Sequence, residues 1–441
     1  MNSNNSANNN FGKKKFLFVS YDALISDVAW KVVKEGHDVK YYIRNPEDKD
    51  SADGLVPKVE NWEAEVGWAD VVVFDDVLGM GKWAEKLRKQ GKLVVGGTVY
   101  TDKLEDDRSF GQEELKKFGI PIIPYENFTD FQTAIDYVKN NTAKYVIKPS
   151  GEAANIKRFL FVGQEEDGKD VVEVLGAYSK VWSKKIKVFQ LQKMVAGVEI
   201  GVGAFFNGDE FIYPINVNFE HKKLFPGNIG PSTGEMGTSM FWSPPNKIFN
   251  LTLKKMEEAL KEQKYVGYID LNCIVNNNGI YPLEFTSRFG YPTIHIQQEG
   301  ILMPIGEFLY KMADGSLKKF KAKAGFQVGV RLVVPPFPYG GEVKGPAGDS
   351  RDSVILFKKN TFDGVHIEDV KVVNDEWLVA GESGVVFVVV GCGTTMKQAQ
   401  QQVYNRINNI LIPNMFYRKD IGDRWFEDGD KLHNWGYLRE Q

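Results

Sequence analysis

Cysteine is scarce in this sequence. The chain has 441 residues but only two cysteines, Cys273 and Cys392, which cannot form a disulfide framework. Neither cysteine lies in the spacing of a metal-ligating pair. A secreted, disulfide-stabilised domain is therefore disfavoured, and we expect a reducing, cytoplasmic location.

Long apolar runs and a surplus of positive charge are also lacking. The longest apolar runs, such as residues 385–390, have the length of a strand and fall far short of the roughly 20 residues that cross a bilayer. Lysine plus arginine (55) nearly balance aspartate plus glutamate (58), whereas nucleic acid and anionic membranes attract basic surfaces. We expect neither as a partner.

A glycine-rich phosphate motif is missing as well. Neither GxGxxG nor GxxxxGK[ST] occurs in the chain, and residues 19–24, at the end of the first predicted strand and just after it, contain no glycine. If this protein binds a nucleotide, it does so by another device.

The N-terminal part alternates short apolar strands with helical segments. Strands are predicted at residues 16–20, 39–43, 71–74 and 93–95, with helices at 22–35 and 80–89. Continuous apolar strands of this kind are typical of an open parallel α/β domain. The preceding residues, 1–12, begin with MNSNNSANNN and predict a disordered tail.

The remaining chain mixes helices with strands. Helices are predicted at residues 104–118, 246–264, 300–312 and 396–410, and strands at 144–148, 188–192 and 198–206. Residues 267–288 predict a hairpin, and residues 219–240 predict a loop because they are rich in Gly, Pro, Ser and Thr. We expect an α/β and α+β multidomain chain with an N-terminal open parallel α/β domain (13–103), a central domain with antiparallel sheets (104–314) and a small β-rich C-terminal domain (315–441).

The predicted hairpin carries the strongest chemical signal. Residues two apart on a strand share a face, so Asp270 and Asn272 point the same way, as do Glu284, Thr286 and Arg288. A loop with an odd number of residues places Asn272 opposite Glu284, and oxygen ligands suited to Mg²⁺ with phosphates then converge. A two-residue loop puts the two carboxylates on opposite faces. The plain alternative is a solvated polar face of an ordinary hairpin.

Two loops have compositions suited to anions. Lys148 ends a strand before Ser150 and Gly151, so its ammonium and nearby backbone N–H groups suit a polyphosphate. Residues 227–238 contain four glycines, which let backbone amides approach an anion, and Lys222 precedes them. The alternatives are an ordinary turn after a strand and a plain surface loop.

In this order the segments resemble an ATP-grasp ligase, specifically the phosphoribosylamine–glycine ligase family of purine synthesis. The matching segments are LEDDRSFGQEELKKFGIP, YVIKPSG, LQKMVAGVEIGVGAFFNG, EHKKLFPGNIGPSTGEMGT, YPLEFTSRFGYPT, and VVFVVVGCGTTMKQA followed by FYRKDIG. The resemblance covers most of the chain from about residue 100 onward, and its closing segment is quite specific to this family.

The resemblance implies roles for individual residues. The residues it assigns to ATP are Arg108, Lys148, Ser150, Gly151, Gln192, Lys193, Met194, Glu199 and Lys222. Those assigned to Mg²⁺ (or Mn²⁺) are Asp270, Asn272, Glu284 and Thr286. Those assigned to the substrates are Ser232, Thr233, Gly234, Glu235, Met236 and Arg288. The catalytic roles fall to Arg288 and Lys148.

The resemblance also implies a reaction between small molecules. A carboxylate attacks the γ-phosphate of ATP to give an acyl phosphate and ADP, and an amine then displaces phosphate to form an amide. Because acyl phosphates hydrolyse, a closing lid is expected, at about residues 122–195 of an ATP-grasp domain. The implied substrates are phosphoribosylamine and glycine, in a monomer or homodimer.

Several residues depart from the family pattern. Residues 19–24 replace the family's N-terminal Gly-rich loop, which contacts the substrate phosphate, and Asp75 and Asp76 add carboxylates that repel a phosphate. Arg108, Glu235 and Thr286 replace a lysine, a glycine and an asparagine. Three interpretations stay open: the phosphoribosylamine–glycine ligase, an ATP-grasp ligase for a different amine, and a nucleotide-binding relative that does not catalyse.

Overall fold

The structure is a computed structural model that describes residues 11–77, 79–149, 159–339 and 350–439. The first ten residues of the predicted tail lie outside the described residues, and so do Ser150 and Gly151. The described chain begins at Phe11, whose ring packs edge-on against Tyr310 with 5.3 Å between the centroids. Among the described helices, none is long and apolar enough to cross a bilayer.

Internal contacts divide the chain into two compact units. The larger unit holds the chain up to Asp102, Ile200–Asp270 and the chain from Thr286 onward. The smaller unit holds Lys103–Glu199 and Leu271–Phe285.

The described elements are named in chain order. The strands are β1 (Lys15–Ser20), β2 (Asp38–Ile43), β3 (Val71–Phe74), β4 (Leu93–Val95), β5 (Tyr125–Phe128), β6 (Tyr145–Pro149), β7 (Phe161–Val162), β8 (Phe189–Lys193), β9 (Val198–Asn207), β10 (Phe211–Glu220), β11 (Lys223–Phe225), β12 (Ile229–Ser232), β13 (Gly237–Ser243), β14 (Val266–Asn276), β15 (Gly279–Thr286), β16 (Phe326–Val333), β17 (Val354–Phe357), β18 (Val365–Ile367), β19 (Val370–Val373), β20 (Glu376–Val379), β21 (Val385–Gly393) and β22 (Ile410–Leu411). The α-helices are α1 (Ser26–Lys34), α2 (Trp62–Glu65), α3 (Gly81–Lys89), α4 (Val99–Asp106), α5 (Arg108–Lys117), α6 (Phe131–Asn140), α7 (Lys169–Val181), α8 (Lys247–Leu251), α9 (Glu257–Glu262), α10 (Thr293–Gly300), α11 (Ile305–Ala313), α12 (Met396–Ile407) and α13 (Trp425–Asn434).

The first four strands form the predicted open parallel sheet. Their order is β2-β1-β3-β4, and each neighbouring pair runs parallel. Val71–Phe74 is buried along its whole length, as strands covered on both faces are. Helix α1 begins at Ser26 rather than at residue 22, because the chain first turns at Ala23, which has a positive φ of 61°. The N-terminal α/β prediction is therefore confirmed.

The smaller unit contains an antiparallel sheet of order β5-β8-β6-β7. Apolar side chains of α6 and α7, including Phe131 and Leu175, form one core with Ile147 and Leu191 of the sheet. The single helix predicted at residues 104–118 is wrong. The chain breaks at Asp107, whose side chain caps a new helix, α5.

An eight-stranded sheet has the order β15-β14-β9-β10-β13-β16-β21-β18. Two smaller sheets are formed by β11-β12 and by β19-β20-β17-β22. The predicted loop at residues 219–240 is wrong in part, since it contains β11 and β12, which are too short to show alternation. The predicted helix at residues 246–264 is interrupted by a 3₁₀ segment, Leu253–Met256, between α8 and α9.

Two further helix predictions meet different outcomes. The helix predicted at residues 300–312 is α11, which begins five residues later than predicted, at Ile305 after Pro304, because residue 300 is the last residue of α10. The amphipathic helix predicted at residues 396–410 is α12, which ends three residues earlier than expected and begins with a capping box between Thr395 and Gln398. Helix α13 was not predicted from the sequence.

Candidate active site

One face of the β5-β8-β6-β7 sheet is polar. Alternation along β8 sends Phe189 and Leu191 into the apolar core and leaves Gln190 and Gln192 on the opposite face. Lys148 of β6 lies directly opposite Gln190, so its side chain shares that face. We call Lys148, Gln190 and Gln192 the polar face; all three are buried.

Helix α5 contributes a side chain to this polar face. Gln112 and Gln190 exchange amide hydrogen bonds of 3.5 and 3.2 Å, and Gln190 Nε2 also donates to Asn127 Oδ1 at 3.3 Å. Neither Gln112 nor Gln190 was predicted as a site residue. The alternating sequence FQLQK of β8 is a signal that could have identified Gln190.

Gln192 differs from Gln190 in its hydrogen bonding. Its side chain is 2% exposed, and within the described chain its Nε2 has no hydrogen-bond partner. A buried donor without a partner costs about 1–3 kcal/mol, so the position favours a bound group that accepts a hydrogen bond. The family resemblance had placed Gln192 in the adenine-binding segment.

Backbone hydrogen bonds hold the two residues that follow Gln192. The backbone N–H groups of Lys193 and Met194 donate to carbonyl oxygens of Pro124 and Lys144 at 3.0 and 2.9 Å. The Met194 side chain is exposed. The exposed apolar side chain of Met194 therefore follows directly on the polar end of β8.

Glu199, at the start of β9, is held by a residue of β14. Asn272 Nδ2 donates to Glu199 Oε1 at 3.0 Å. The structure therefore brings together the residue assigned to the ribose and one of those assigned to the metal. Arg108 lies apart from this pair in sequence, as the first residue of α5.

The turn of the β14–β15 hairpin has two residues, Asn277 and Asn278, so an odd-numbered loop is wrong. Asn276 Oδ1 closes the turn by accepting the N–H groups of Asn278 and Gly279 at 2.9 and 3.2 Å. In a regular hairpin this turn places Asp270 on the face opposite to Glu284.

Burial along β15 does not follow a regular alternation. Ile280 and Pro282 are buried, but the next buried residue is Phe285, with Glu284 exposed before it. The buried positions therefore shift by one residue, as they do where a β-bulge interrupts a ladder. A β-bulge at this point would place Glu284 on the side of Asn272.

Asp270 belongs to a buried hydrogen-bond network of the larger unit. Its Oδ2 accepts Asn218 Nδ2 at 2.7 Å and the Tyr268 hydroxyl at 3.0 Å. Burial, and next the negative charge of Glu220, raise the pKa of Asp270 to about 7, while the two hydrogen bonds oppose the rise. A cation near this carboxyl group would lower its pKa and favour the ionised form.

The β11–β12 segment places further charges nearby in the larger unit. Lys222 Nζ lies 3.3 Å from Glu220 Oε2, and the Lys222 carbonyl accepts the N–H and hydroxyl of Thr233 at 2.8 and 2.9 Å. Ser232 ends β12, opposite Lys223.

Glu235 is a buried carboxyl whose Oε1 has no hydrogen-bond partner among the described residues. Burial, and next Glu220, raise its pKa well above the ordinary value, and Arg331 opposes the rise. Arg331 Nη1 donates to the Glu235 carbonyl at 3.1 Å, and its Nη2 donates to Glu368 at 3.2 Å. Arg331 and Glu368 were not predicted, although an arginine within the apolar run VGVRLVV was a visible signal.

The predicted substrate residues are not equally accessible. Met236 packs with Val333 and Val385 in an apolar cluster, so its side chain is not offered to a ligand. Gly234 and Glu235 precede it in the same loop. Thr286 ends β15, and Arg288 follows it, donating from Nη1 to the Phe289 carbonyl at 2.9 Å.

Two family models match this chain. Residues 106–294 match the ATP-grasp (A) domain of phosphoribosylglycinamide synthetase, and residues 342–424 match the C domain of the same family. Together the two matches span more than half of the chain.

Curated relatives and a solved structure agree with this family. The chain is 26% identical over 363 residues to the phosphoribosylamine–glycine ligase of Streptococcus pneumoniae, covering 79% of this chain and 82% of the relative. It is 24% identical over 373 residues to that of Streptococcus pyogenes, covering 82% and 85%. A crystal structure of phosphoribosylamine–glycine ligase from Thermotoga maritima matches with a TM-score of 0.68 and 22% identity, covering 92% of this chain and all of that one. This last likeness shows that the fold is shared.

Proposed function

Because the chain belongs to the phosphoribosylglycinamide synthetase family, we propose that it is an ATP-dependent ligase that joins a carboxylate and an amine in an amide bond. The names of its relatives supply the leading pair, phosphoribosylamine and glycine, and with it a place in purine biosynthesis. The observation that carries the proposal is the polar face, where a buried lysine, Lys148, shares a sheet surface with the open amide donor of Gln192.

ATP is assigned to residues of the smaller unit, in an ATP-grasp domain spanning residues 104–314. Lys148 and Arg108 supply positive charge for the phosphates, and Ser150 and Gly151 follow Lys148 in the proposed phosphate loop. The adenine is assigned to Gln192, Lys193 and Met194. Glu199, positioned by Asn272, accepts the ribose hydroxyls.

Mg²⁺ or Mn²⁺ is assigned to oxygen ligands of the β14–β15 hairpin, namely Asp270, Asn272, Glu284 and Thr286. No group of three or more His, Cys, Asp or Glu in the described chain is arranged to hold a metal ion. The hairpin set has only two carboxylates, which fits a hard cation that keeps phosphate oxygens and water as its other ligands. When bound, the ion neutralises charge on the phosphates. The shift in burial along β15 supports this assignment, because a bulge lets Glu284 and Asn272 share a face.

The substrates are assigned to the larger unit. The substrate contacts are assigned to the end of β12 and the loop after it, namely Ser232, Thr233, Gly234 and Glu235. Met236 contributes only its backbone. Arg288 stabilises the charge that develops on the acyl phosphate, so catalysis consists of positioning and electrostatic stabilisation. A lid over the intermediate prevents its hydrolysis.

A second candidate keeps this chemistry and changes the amine. It is favoured by Asp75, whose buried carboxylate accepts the Tyr21 N–H at 3.1 Å at the end of the first sheet. A carboxylate in that place opposes a substrate phosphate.

Release of ADP tests the proposal. The purified protein with Mg-ATP receives glycine plus freshly prepared phosphoribosylamine, then a panel of other amines and carboxylates. Turnover with the first pair supports the leading candidate, and turnover with other pairs alone supports the second. Binding of ATP without ADP release under any pair contradicts both and identifies a relative that does not catalyse.

Two substitutions test the residue assignments. Lys148→Ala and Glu284→Gln should each lower kcat by about 10²-fold or more, because each removes charge stabilisation from the reacting phosphate, while the circular dichroism spectrum is unchanged. Lys180→Ala and Glu126→Gln, which alter exposed residues of the smaller unit, serve as matched controls with unchanged turnover. A fully active Glu284→Gln enzyme would show that the metal assignment is wrong.

A further inference from the structure

The β11–β12 ribbon, residues 223–232, leads into the loop that is assigned to the substrates. Beyond the strand pair, the Thr233 N–H donates to the Lys222 carbonyl at 2.8 Å, so the pairing continues to the base of the ribbon. The outer end of the ribbon, residues 225–230, is exposed. Because a two-stranded ribbon is at best marginally stable alone, its position depends on contacts with the rest of the larger unit.

The substrate loop, residues 232–236, has an anchor at each end. At one end the Thr233 N–H is held at the base of the ribbon. At the other end the Met236 N–H donates to the His221 carbonyl at 2.8 Å, and the Met236 carbonyl accepts the Arg331 N–H of β16 at 3.0 Å. Two residues lie between these anchors, so the position of the ribbon sets the shape of the loop.

A buried arginine contacts the ribbon from the inside. Arg418 is fully buried and belongs to FYRKDIG, the closing segment of the family resemblance. Its Nη1 donates to the Lys223 carbonyl at 2.8 Å and to Asn228 Oδ1 at 3.2 Å, and its Nη2 donates to the same Asn228 oxygen at 3.2 Å. One guanidinium therefore contacts both the base and the tip of the ribbon.

Asp420 completes this contact, and we call Arg418 and Asp420 the brace. Asp420 accepts Nε and Nη2 of Arg418 at 2.8 and 2.6 Å, and its Oδ2 also accepts the Gly227 N–H at the ribbon tip at 3.0 Å. Burial raises the pKa of Asp420, but the hydrogen bonds from Arg418 and Gly227 outweigh burial and lower it. The guanidinium thus makes five hydrogen bonds in a planar fork, a set that a lysine cannot reproduce.

The brace is itself fixed to a strand and a helix of the larger unit. Phe416 and Val333 of β16 exchange backbone hydrogen bonds of 2.8 and 2.9 Å. The Tyr404 hydroxyl of α12 donates to the Arg418 carbonyl at 3.2 Å and accepts the Ile421 N–H at 3.2 Å. Both ends of the substrate loop are therefore connected to β16, one directly and the other through the brace and the ribbon.

We infer that Arg418 is a positioning residue for the carboxylate substrate, because it fixes the ribbon and through it the substrate loop. The inference rests on the proposed ligase function and adds a residue that acts through residues 232–236. Backbone N–H groups of a glycine-containing loop suit a carboxylate, and their directions depend on the shape of the loop. Since ATP is assigned to the smaller unit, the brace should affect the use of the carboxylate and not the use of ATP.

Hydroxamate formation measures the use of the carboxylate without the amine substrate. Hydroxylamine and Mg-ATP are offered with glycine and a panel of other carboxylates, and the carboxylate that reacts with the wild type is used for every variant. The hydroxylamine nitrogen bonds to the acyl carbon, the bond from that carbon to the phosphate oxygen breaks, and the nitrogen loses a proton. The assay gives KM for the carboxylate and KM for ATP separately.

A variant at the ribbon tip tests the inference while Arg418 stays in place. Asn228 has a positive φ of 56°, so Asn228→Gly tolerates the backbone conformation and removes the side-chain acceptor. We expect KM for the carboxylate to rise about tenfold, the change that a contact of 1.4 kcal/mol makes, with KM for ATP unchanged. Asn374→Gly is the matched control with both values unchanged, since Asn374 has a φ of 53° in the exposed turn between β19 and β20.

Arg418→Lys separates positioning from folding. It keeps the charge beside Asp420 but loses the fork, so KM for the carboxylate should again rise about tenfold. A merely structural role would lower the folded fraction, and so the apparent kcat, without changing either KM. Trypsin cleavage after Lys223 reports directly on the ribbon and should be faster in Arg418→Lys and Asn228→Gly than in the wild type, because cleavage requires local opening.

The outcomes distinguish the inference from the proposed function. An unchanged carboxylate KM in Asn228→Gly, or an equal rise in the ATP KM, overturns the inference. An unchanged rate of cleavage after Lys223 in Asn228→Gly also overturns it, whether or not the protein forms a hydroxamate. Absence of hydroxamate with every carboxylate in the wild type contradicts the ligase proposal instead.

Discussion

His366 is a buried histidine that stabilises the larger unit in its charged form. Its Nδ1 lies 2.7 Å from Asp27 Oδ2, and its Nε2 lies 3.5 Å from Glu299 Oε1. Burial alone lowers the pKa of His366, but the two carboxylates outweigh burial and raise it to about 9. Protonated His366 therefore joins helix α1 to strand β18 and helix α10.

This pairing predicts that stability falls with rising pH. The folded pKa of about 9 lies above the unfolded value of 6.5, so the contribution is complete below pH 6.5 and is lost as the pH rises through 9. The shift corresponds to about 3 kcal/mol of unfolding free energy. Denaturant unfolding at pH 6.5 and 9.5 should show this loss in the wild type but not in His366→Gln, with exposed His433→Gln as the control. The same loss in His366→Gln would disprove the assignment.

At the scale of single residues, motifs could be recognised in the sequence, but contacts between side chains of distant segments could not. The motif around Lys148 and the segment around Gln192 predict a nucleotide site through their resemblance to the family. The Gln112–Gln190 pair was missed because α5 and β8 are far apart in sequence, and only the fold brings their amides together. Arg331 was missed for the same reason, since its partners Glu235 and Glu368 lie on other segments.

At the scale of elements, the start of α5 fixes the position of Arg108. The side chain of Asp107 accepts the Phe110 N–H at 3.1 Å and so ends one helix and begins the next. Arg108 is thereby the first helical residue, and Gln112 lies one turn further along the same helix.

Removing this cap should destabilise the smaller unit. Asp107→Ala is expected to lower the unfolding free energy by about 1 kcal/mol, whereas Asp107→Asn should change it by only a few tenths, because asparagine also caps helices. Thermal or denaturant unfolding of the two variants provides the comparison, and both remove the same charge. Equal losses in the two variants would show that charge, not capping, is what matters.

Element type was predictable where the pattern was long and regular. Val71–Phe74 was predicted because it is a continuous apolar run of strand length, and the hairpin arms were predicted because their residues alternate. The break at Asp107 was not predicted, because an aspartate within a helical pattern does not by itself end a helix. The sequence left open whether the turn has two residues or an odd number, and it did not predict the shift in burial along β15, since both depend on the pairing of β14 with β15.

At the scale of the whole molecule, similarity to the family is unevenly distributed. The residues assigned to ATP retain the charge and polarity that the family resemblance implies, with Arg108 in place of lysine. Residues 19–24 instead replace the family's Gly-rich loop, and Asp75 and Asp76, which follow β3, add carboxylates. The segments that the family uses for the amine therefore differ more in this chain than the segments that it uses for ATP.

The formation of an acyl phosphate is the central claim, and isotope exchange measures it most directly. ATP labelled with ¹⁸O at the β–γ bridging position is incubated with Mg²⁺, the protein and a carboxylate panel, without any amine. Reversible transfer of the γ-phosphate frees the β-phosphate of ADP to rotate, so the label should move to a non-bridging position in the presence of one carboxylate and should remain in place with Glu284→Gln. Label that stays in the bridge with every carboxylate, while ATP is bound, would contradict the account.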